Sequence, residues 1–178
     1  MKQKHLGGHK GRTHIDKGIL QFAKEVLDCK SVVDIGCGPG GQVYEALNLG
    51  MNAMGVDGDT TLQWEKPIHF IRHDFTESPL EHKEVDMVWC CEFIEHVEEK
   101  YIPNYMSIMK SAKYVFVTYS EPGKPGHHHV NCQPKQYWID IFNENGFDYA
   151  ENLTVTSKEY STMVREFWNE NGLIFKRR

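Results

Sequence analysis

Acidic and histidine side chains that could carry chemistry are concentrated in two short stretches of the sequence. The first stretch is the segment 91–97 (CEFIEHV), in which Glu92, Glu95 and His96 are spaced at i, i+3 and i+4. On a helix, this spacing would place the three side chains on one face. The second stretch is the histidine triplet 127–129. Carboxylates and imidazoles gathered together repel one another unless a cation or a proton lies between them, so the two stretches predict a metal site or an acid–base site.

A glycine-rich turn follows the apolar residues Val32 and Val33, and it spans residues 34–41 (DIGCGPGG). Glycine allows a sharp bend with positive φ and leaves room for a ligand against the main chain. The turn therefore predicts a site for a nucleotide-like cofactor. Its glycines also satisfy the spacing G-x-G-x-x-G, so they do not by themselves distinguish a nicotinamide cofactor from S-adenosylmethionine.

Further candidate cofactor residues come at the ends of the next predicted strands. Asp57, followed by Gly58, ends the second strand, where a carboxylate can accept hydrogen bonds from both ribose hydroxyls. Asp74 follows the third strand and could accept from the adenine amino group, and the ring of Phe75 could lie against the base. The predicted cofactor-binding residues are Asp34, Gly36, Cys37, Gly38, Gly40, Asp57, Gly58, Asp74, Phe75 and Cys91.

The string D-I-G-C-G-P-G-G resembles motif I of the class I S-adenosylmethionine-dependent methyltransferases, in which the first-strand acid lies beside the amino-acid end of the cofactor. Here that acid is Asp34. Dinucleotide enzymes usually carry an apolar residue at this position and a separate substrate domain, for which 178 residues leave little room. The resemblance covers about residues 16–120 and implies a methyltransferase. A non-catalytic S-adenosylmethionine-binding module and an NAD-dependent oxidoreductase stay open as alternatives.

The E-x-x-E-H segment with a later histidine is similar to two families of metal-dependent O-methyltransferases, those acting on the 3′ terminal ribose of small RNAs and those of ubiquinone biosynthesis. In the RNA family two glutamates and two histidines bind the metal. Carried over, the ligands are Glu92, Glu95, His96 and one histidine of the triplet, and we choose His129 before His128. Magnesium or manganese suits such a set, with zinc or iron as alternatives. Many class I methyltransferases carry a similar segment with no demonstrated metal, so that alternative stays open.

The resemblance implies O-methylation of a small-molecule, sugar or nucleotide-like hydroxyl. The predicted catalytic residues are His129, His96 and Glu92, because a neutral histidine could act as the general base if no metal is present. The RNA family carries an additional domain without a counterpart here, so nucleic acid as the acceptor lacks support. Tyr119, Asn131 and Trp138, with the basic N-terminal arm, are candidates for the acceptor pocket. We expect a monomer or a homodimer.

Short apolar strands alternate with amphipathic helices along most of the chain, which predicts an α/β fold: a doubly wound, Rossmann-like sheet of seven strands with helices on both faces. The sheet is mostly parallel, and the last strand is antiparallel after a tight turn at Asn171-Gly172. We divide the chain into a flexible basic arm (1–14) and a single domain (15–178). The predicted helices are 17–28 (capped by Asp16), 40–49, 100–111 and 135–145, and the predicted strands are 31–36, 52–57, 67–72, 85–90, 113–119, 147–155 and 171–178.

Composition is that of a globular domain, with 40% hydrophobic and 25% charged residues. No apolar run approaches the roughly 20 residues that cross a bilayer, and the N-terminus does not resemble a signal peptide, so we expect a cytoplasmic protein without a membrane partner. The five cysteines include no C-x-x-C pair, which argues against a disulfide framework. The net charge of −5 does not indicate a general affinity for nucleic acid.

Overall fold

The strands of this chain assemble into one seven-stranded sheet in the computed structural model, which describes residues 5–178. The strands are β1 (Ser31–Ile35), β2 (Asn52–Asp57), β3 (Phe70–Arg72), β4 (Val85–Cys90), β5 (Ala112–Thr118), β6 (Phe147–Tyr149) and β7 (Gly172–Arg177). The order across the sheet is β3-β2-β1-β4-β5-β7-β6. Strands β1 to β5 are parallel, and β7 pairs antiparallel with both β5 and β6. The predicted doubly wound, Rossmann-like fold with an antiparallel last strand is confirmed.

Six helices cover the two faces of the sheet. They are α1 (Lys17–Glu25), α2 (Gly41–Asn48), α3 (Ile102–Met109), α4 (Lys135–Glu144), α5 (Glu151–Lys158) and α6 (Phe167–Asn171). Helix α1 begins at the predicted cap, Asp16, whose carboxylate accepts a hydrogen bond from the N–H of Ile19 at 3.1 Å. The same buried carboxylate accepts from the N–H of Thr162 at 2.9 Å, which joins α1 to the loop between α5 and α6.

The alternation of side chains along each strand sends apolar residues into both layers. Val33 packs in the layer that contains α3 and α4, whereas Val32 packs in the layer that contains α1 and α2. Both valines are buried, which explains why the strands read as continuous apolar runs rather than alternating ones. Within the part of the chain that the structure describes, no helix is long and apolar enough to span a membrane.

Two predictions near the C-terminus are wrong. The strand predicted over 147–155 ends at Tyr149, and the rest of that segment begins helix α5. The predicted tight turn at Asn171-Gly172 is absent, because Asn171 ends α6 and Gly172 begins β7 directly. Helix α6 forms because Trp168 is fully buried against the rings of Trp89 and Phe116, a tertiary contact that the local sequence does not reveal.

The strand order places a topological switch point between β1 and β4. From β1 the chain continues to β2 on one side, and β4 lies on the other side. Ligands of open α/β sheets bind in the crevice outside the carboxyl ends of the strands at this point. The residues that follow β1, β2, β3 and β4 therefore converge on one edge of the sheet.

Candidate active site

A cavity of about 450 Å³ opens at this edge of the sheet. The structure brings together nine of the ten predicted cofactor residues in its wall and leaves out Gly40. Gly40 has a φ of +87°, and a Cβ there would lie 2.5 Å from the ring of Phe70. Position 40 therefore requires glycine because of the backbone conformation of the turn and the close packing of the Phe70 ring, rather than to leave space for a ligand.

Asp57 is placed by the end of β2 beside the glycine-rich turn. One of its carboxylate oxygens accepts a hydrogen bond from the N–H of Gly38 at 2.8 Å, and the other accepts from the N–H of Asp59 at 2.8 Å. These two bonds fix the orientation of the carboxylate, and each oxygen retains a second lone pair. Asp57 is thus held in position at the cavity wall with acceptor capacity to spare.

Asp34 lies on β1 and is almost completely buried. Burial, followed by the nearby charge of Asp57, raises the pKa of Asp34 well above its ordinary value. A cationic ligand group beside Asp34 would favour its ionised form, because an opposite charge offsets the cost of burial. The amino group of S-adenosylmethionine is such a cation.

Asp74 and Phe75 follow β3 and line the cavity. The Asp74 carboxylate accepts hydrogen bonds from the Thr76 N–H at 2.8 Å and from the Nε2 of His5 at 2.8 Å. Burial acts to raise the pKa of Asp74, but these hydrogen bonds outweigh it and hold the pKa below its ordinary value. Asp74 is therefore an ionised acceptor, and a ligand amino group there would share it with His5.

The segment with Glu92, Glu95 and His96 does not form the predicted α-helical face. Glu92 has a φ of +53°, in the left-handed region that is uncommon for a non-glycine residue, and only 94–96 form a single 3-10 turn. The side chain of Thr118, at the end of β5, holds this conformation: its Oγ1 accepts from the Glu92 N–H at 2.8 Å and donates to the Glu92 carboxylate at 3.3 Å. Thr118 is a site residue that the sequence did not indicate.

Three of the predicted metal ligands nevertheless come together. Side-chain ligand atoms of Glu95, His96 and His129 all lie within 4.8 Å of one another, and Glu92 is outside this group. The N–H groups of Val130 and Asn131 both donate to the Glu95 carbonyl at 3.0 Å, so the loop after the triplet is tied to the 3-10 turn.

The Glu95 carboxylate is fully buried, and neither of its oxygens has a hydrogen-bond partner among residues 5–178 as long as both it and Glu92 are ionised. The Glu92 carboxyl is close enough to bond it once one of the two holds a proton. Burial, and then the charge of Glu92, raises the pKa of Glu95 well above its ordinary value. Burial likewise raises the pKa of Glu92. A buried carboxylate without partners is costly, and a cation or a proton is what satisfies it.

The two histidines of the group both direct Nδ1 at a backbone carbonyl. The Nδ1 of His96 lies 2.6 Å from the carbonyl oxygen of His127, and the Nδ1 of His129 lies 3.1 Å from the carbonyl oxygen of Lys124. Because a carbonyl only accepts, each Nδ1 donates a hydrogen, which leaves Nε2 as the atom that could bind a metal. Burial lowers the pKa of His96 to about 4, so it is neutral at pH 7. Metal-binding histidines typically make this second hydrogen bond.

Within the triplet, His127 and His129 line the cavity and His128 does not. The backbone of Gly126 passes directly over the His129 ring, where a Cβ would lie 2.0 Å from Nε2. Any larger residue at position 126 would collide with that imidazole. The loop therefore places His129, and not His128, in the group with Glu95. The His128 ring instead lies near the His5 ring, with the two centroids 6.1 Å apart.

Residues 5–14, the described part of the predicted flexible arm, lie over the cavity in a series of turns. The Nδ1 of His9 accepts from the Gly11 N–H at 2.9 Å, so its Nε2 donates to the Asp59 carboxylate at 3.2 Å. The Oγ1 of Thr13 accepts from the Gly41 N–H at 3.1 Å. Leu6 packs against the backbone at Gly58. These contacts join residues 5–14 to the site. Lys2 and Lys4 of the predicted basic arm lie outside the described residues.

The remaining wall of the cavity differs from the predicted acceptor pocket. Tyr119, Asn131 and Trp138 are buried elsewhere, and none of them lines the cavity. The side chains that do so and were not predicted include Trp89, His14, Arg165 and Phe167. The clustered histidines and basic residues of the N-terminal arm are a sequence signal for a binding segment. The segment around Arg165 has no periodicity from which a place in the cavity wall could be predicted.

Residues 33–115 match the family model described as a methyltransferase domain. A search of curated proteins finds no match. The match covers 83 of the 178 residues, and together with the fold and the cavity it supports one class of protein, the S-adenosylmethionine-dependent methyltransferases.

Several solved structures similar to this chain are methyltransferases of low sequence identity. The TehB-like S-adenosylmethionine-dependent methyltransferase from Corynebacterium glutamicum is 12% identical, with 95% of this chain and 91% of that chain covered and a TM-score of 0.64. The methyltransferase domain of bacterial CtHen1-C is 14% identical (90% and 96% covered, TM-score 0.63). Magnesium protoporphyrin IX methyltransferase from Synechocystis, with bound S-adenosylmethionine, is 16% identical (90% and 80%, TM-score 0.59). The chain spans 54% of the length of the pyocyanin biosynthetic protein PhzM.

Proposed function

We propose that this methyltransferase methylates a hydroxyl of a small-molecule, sugar or nucleotide-like acceptor, and that Glu95, His96 and His129 hold a divalent cation at the reacting end of the cavity. The observation that carries the proposal is the buried Glu95 carboxylate, which has no hydrogen-bond partner among the described residues and lies beside two imidazoles. These three side chains fit a cation, because each offers a potential ligand atom within 4.8 Å of the other two.

The cofactor residues have separate proposed tasks along the cavity. Asp57 would accept hydrogen bonds from the ribose hydroxyls, and Asp34 would face the cationic amino group at the amino-acid end of the cofactor. Asp74 would accept from the adenine amino group, with Phe75 beside the base. S-adenosylmethionine supplies an activated methyl group whose leaving group is already good, so the protein mainly aligns donor and acceptor and assists deprotonation of the hydroxyl.

A bound cation would lower the pKa of an acceptor hydroxyl. The Nδ1–H groups of His96 and His129 are bonded to carbonyl oxygens, so their Nε2 atoms would bind the cation. Thr118 positions Glu92 at the same edge, and we propose Glu92 as a further ligand or as the carboxylate that receives the acceptor proton. Two imidazoles favour manganese or zinc over magnesium, which prefers oxygen ligands.

The cation site is tested by calorimetric titration of the metal-free protein with Mn²⁺, Zn²⁺ and Mg²⁺. The adjacent residues His129 and His128 supply a matched pair, because only His129 belongs to the group with Glu95. We expect His129→Ala to weaken Mn²⁺ binding by 10-fold or more and His128→Ala to leave it unchanged. Equal affinities for the two variants would contradict the proposed ligand set.

The cofactor half of the proposal has its own test. S-adenosylhomocysteine should bind the wild-type protein and the His129→Ala variant alike, since none of the predicted cofactor residues belongs to the cation group. NADH is the comparison ligand. A protein that binds NADH and not S-adenosylhomocysteine would contradict the enzyme class itself. Methyl transfer that continues unchanged in the presence of a chelator would instead leave His129 or His96 as the general base.

A further inference from the structure

Two of the five arginines in the sequence, Arg12 and Arg165, have no acidic or carbonyl partner among the residues that the structure describes. Arg72, Arg177 and Arg178 each donate to an acceptor at the surface. The two unpartnered guanidinium groups are also the two that line the cavity. Among the arginines, the unpartnered ones thus lie at the site and the partnered ones lie outside it.

These arginines belong to an organised wall of the cavity. The ring of Phe167 lies 5.0 Å from the ring of His14 in an edge-to-face arrangement, and the guanidinium carbon of Arg165 lies 5.8 Å from the centroid of the Phe167 ring. Burial, then Arg165 and Arg12, lower the pKa of His14, so both guanidinium groups are within electrostatic reach of the same imidazole. The wall comes from chain segments far apart in sequence, the N-terminal turns and the loop before α6.

Packing and hydrogen bonds place the two ends of this wall. Phe167 begins α6, whose Glu170 pairs with Lys124 at 3.0 Å, and the Lys124 carbonyl faces the Nδ1 of His129. The Arg12 carbonyl packs at the glycine-rich turn, 3.6 Å from the position of a Cβ at Gly38. We expect an anion bound between Arg12 and Arg165 to lie between the glycine-rich turn and the proposed cation group.

We propose that Arg12 and Arg165, with His14 and Phe167 between them, form a subsite for a phosphate or carboxylate group of the acceptor. This proposal rests on the methyltransferase function proposed above and names the class of its substrate: a hydroxyl compound that carries an anionic group a short distance from the methylated oxygen. Guanidinium groups suit this task because they present planar, paired donors that match phosphate and carboxylate oxygens.

The test uses the full chain saturated with S-adenosylhomocysteine, without divalent ions, and titrates it with inorganic pyrophosphate and with succinate. We expect Arg12→Gln and Arg165→Gln each to lower the affinity for pyrophosphate by 10-fold or more, the scale of a lost charge-assisted hydrogen bond. The relative affinities of pyrophosphate and succinate distinguish a phosphate from a carboxylate. Arg178→Gln is the matched control, because Arg178 pairs with Asp148 at the other end of the sheet.

A second comparison distinguishes an acceptor anion from the carboxylate of the cofactor. S-adenosylhomocysteine carries that carboxylate and 5′-methylthioadenosine lacks it. If both arginine variants bind both compounds as the wild type does, the anion belongs to the acceptor. Selective loss of S-adenosylhomocysteine affinity would overturn the proposal, as would unchanged pyrophosphate binding or an equal loss in Arg178→Gln. Failure of the wild type to bind S-adenosylhomocysteine would instead contradict the proposed function.

Discussion

Replacing Glu95 by glutamine should stabilise the metal-free protein and remove its response to metal. The carboxylate is fully buried, and its two oxygens have no partner among residues 5–178. A buried unsatisfied polar group costs about 1–3 kcal/mol, and a charged one costs more. Glutamine keeps the shape and removes the charge, so we expect the free energy of unfolding to rise by about 1–3 kcal/mol at pH 8. For a chain of 178 residues, this corresponds to roughly 2–12 °C in Tm.

The sign of the pH dependence follows from the raised pKa of Glu95. The folded protein binds the proton of this carboxyl more tightly than the unfolded chain does. Wild-type stability is therefore highest when the carboxyl is protonated, and it falls as the pH rises from the ordinary carboxyl pKa of 4.5 through the raised value. Glutamine does not titrate, so the advantage of Glu95→Gln should be small at pH 5 and largest at pH 8.

Added metal should reverse the order of stability. A cation at 100 times its Kd stabilises the wild type by about 2.7 kcal/mol, which is roughly 5–11 °C for a protein of this size. Glu95→Gln should gain almost nothing. Thermal and urea unfolding at pH 5 and pH 8, with and without Mn²⁺, measure all of these differences.

Glu98→Gln is the control for loss of a carboxylate in the same segment. Glu98 is exposed and pairs with Lys100 at 2.6 Å, so its replacement should change stability by less than about 0.5 kcal/mol. The reasoning is refuted if Glu95→Gln is less stable than the wild type by the same amount at both pH values. It is also refuted if Mn²⁺ stabilises that variant as much as the wild type.

Three further outcomes are expected. Gly126→Ala should displace the His129 ring, because the added Cβ would lie 2.0 Å from Nε2, and calorimetry should show Mn²⁺ affinity about 10-fold lower with S-adenosylhomocysteine affinity retained. Asp57→Asn should weaken S-adenosylhomocysteine binding by roughly 10-fold or more while leaving Mn²⁺ binding intact, and equal effects on both ligands would contradict separate sites. Deletion of residues 1–14 should speed release of S-adenosylhomocysteine in stopped-flow measurements by roughly 10-fold, since residues 5–14 cover the cavity, and an unchanged rate would contradict that cover.

The sheet and the cofactor edge follow from local sequence signals. Buried parallel strands need continuous apolar runs, and the turn after β1 needs glycines at positive φ, so both features are visible in short windows of sequence. The position of Asp57 could be predicted equally well, because it depends only on where β2 ends. Helix α1 was signalled by Asp16, whose capping hydrogen bond is also local.

The reacting end of the site depends on contacts between distant parts of the chain. The helical face expected for Glu92, Glu95 and His96 does not form, because Thr118 holds Glu92 in a left-handed conformation. Glu95 instead meets His129 through a loop whose N–H groups bond to the Glu95 carbonyl.

The same reason applies to the cover over the cavity and to its basic wall. The N-terminal turns and Arg165 come from opposite ends of the sequence, and no local periodicity relates them. Residue types and spacing were therefore enough to predict a methyl donor site and to nominate the acids and histidines beside it. Which of those side chains share a volume, and which cations accompany them, was decided by burial and by long-range hydrogen bonds, since these exist only once the chain has folded.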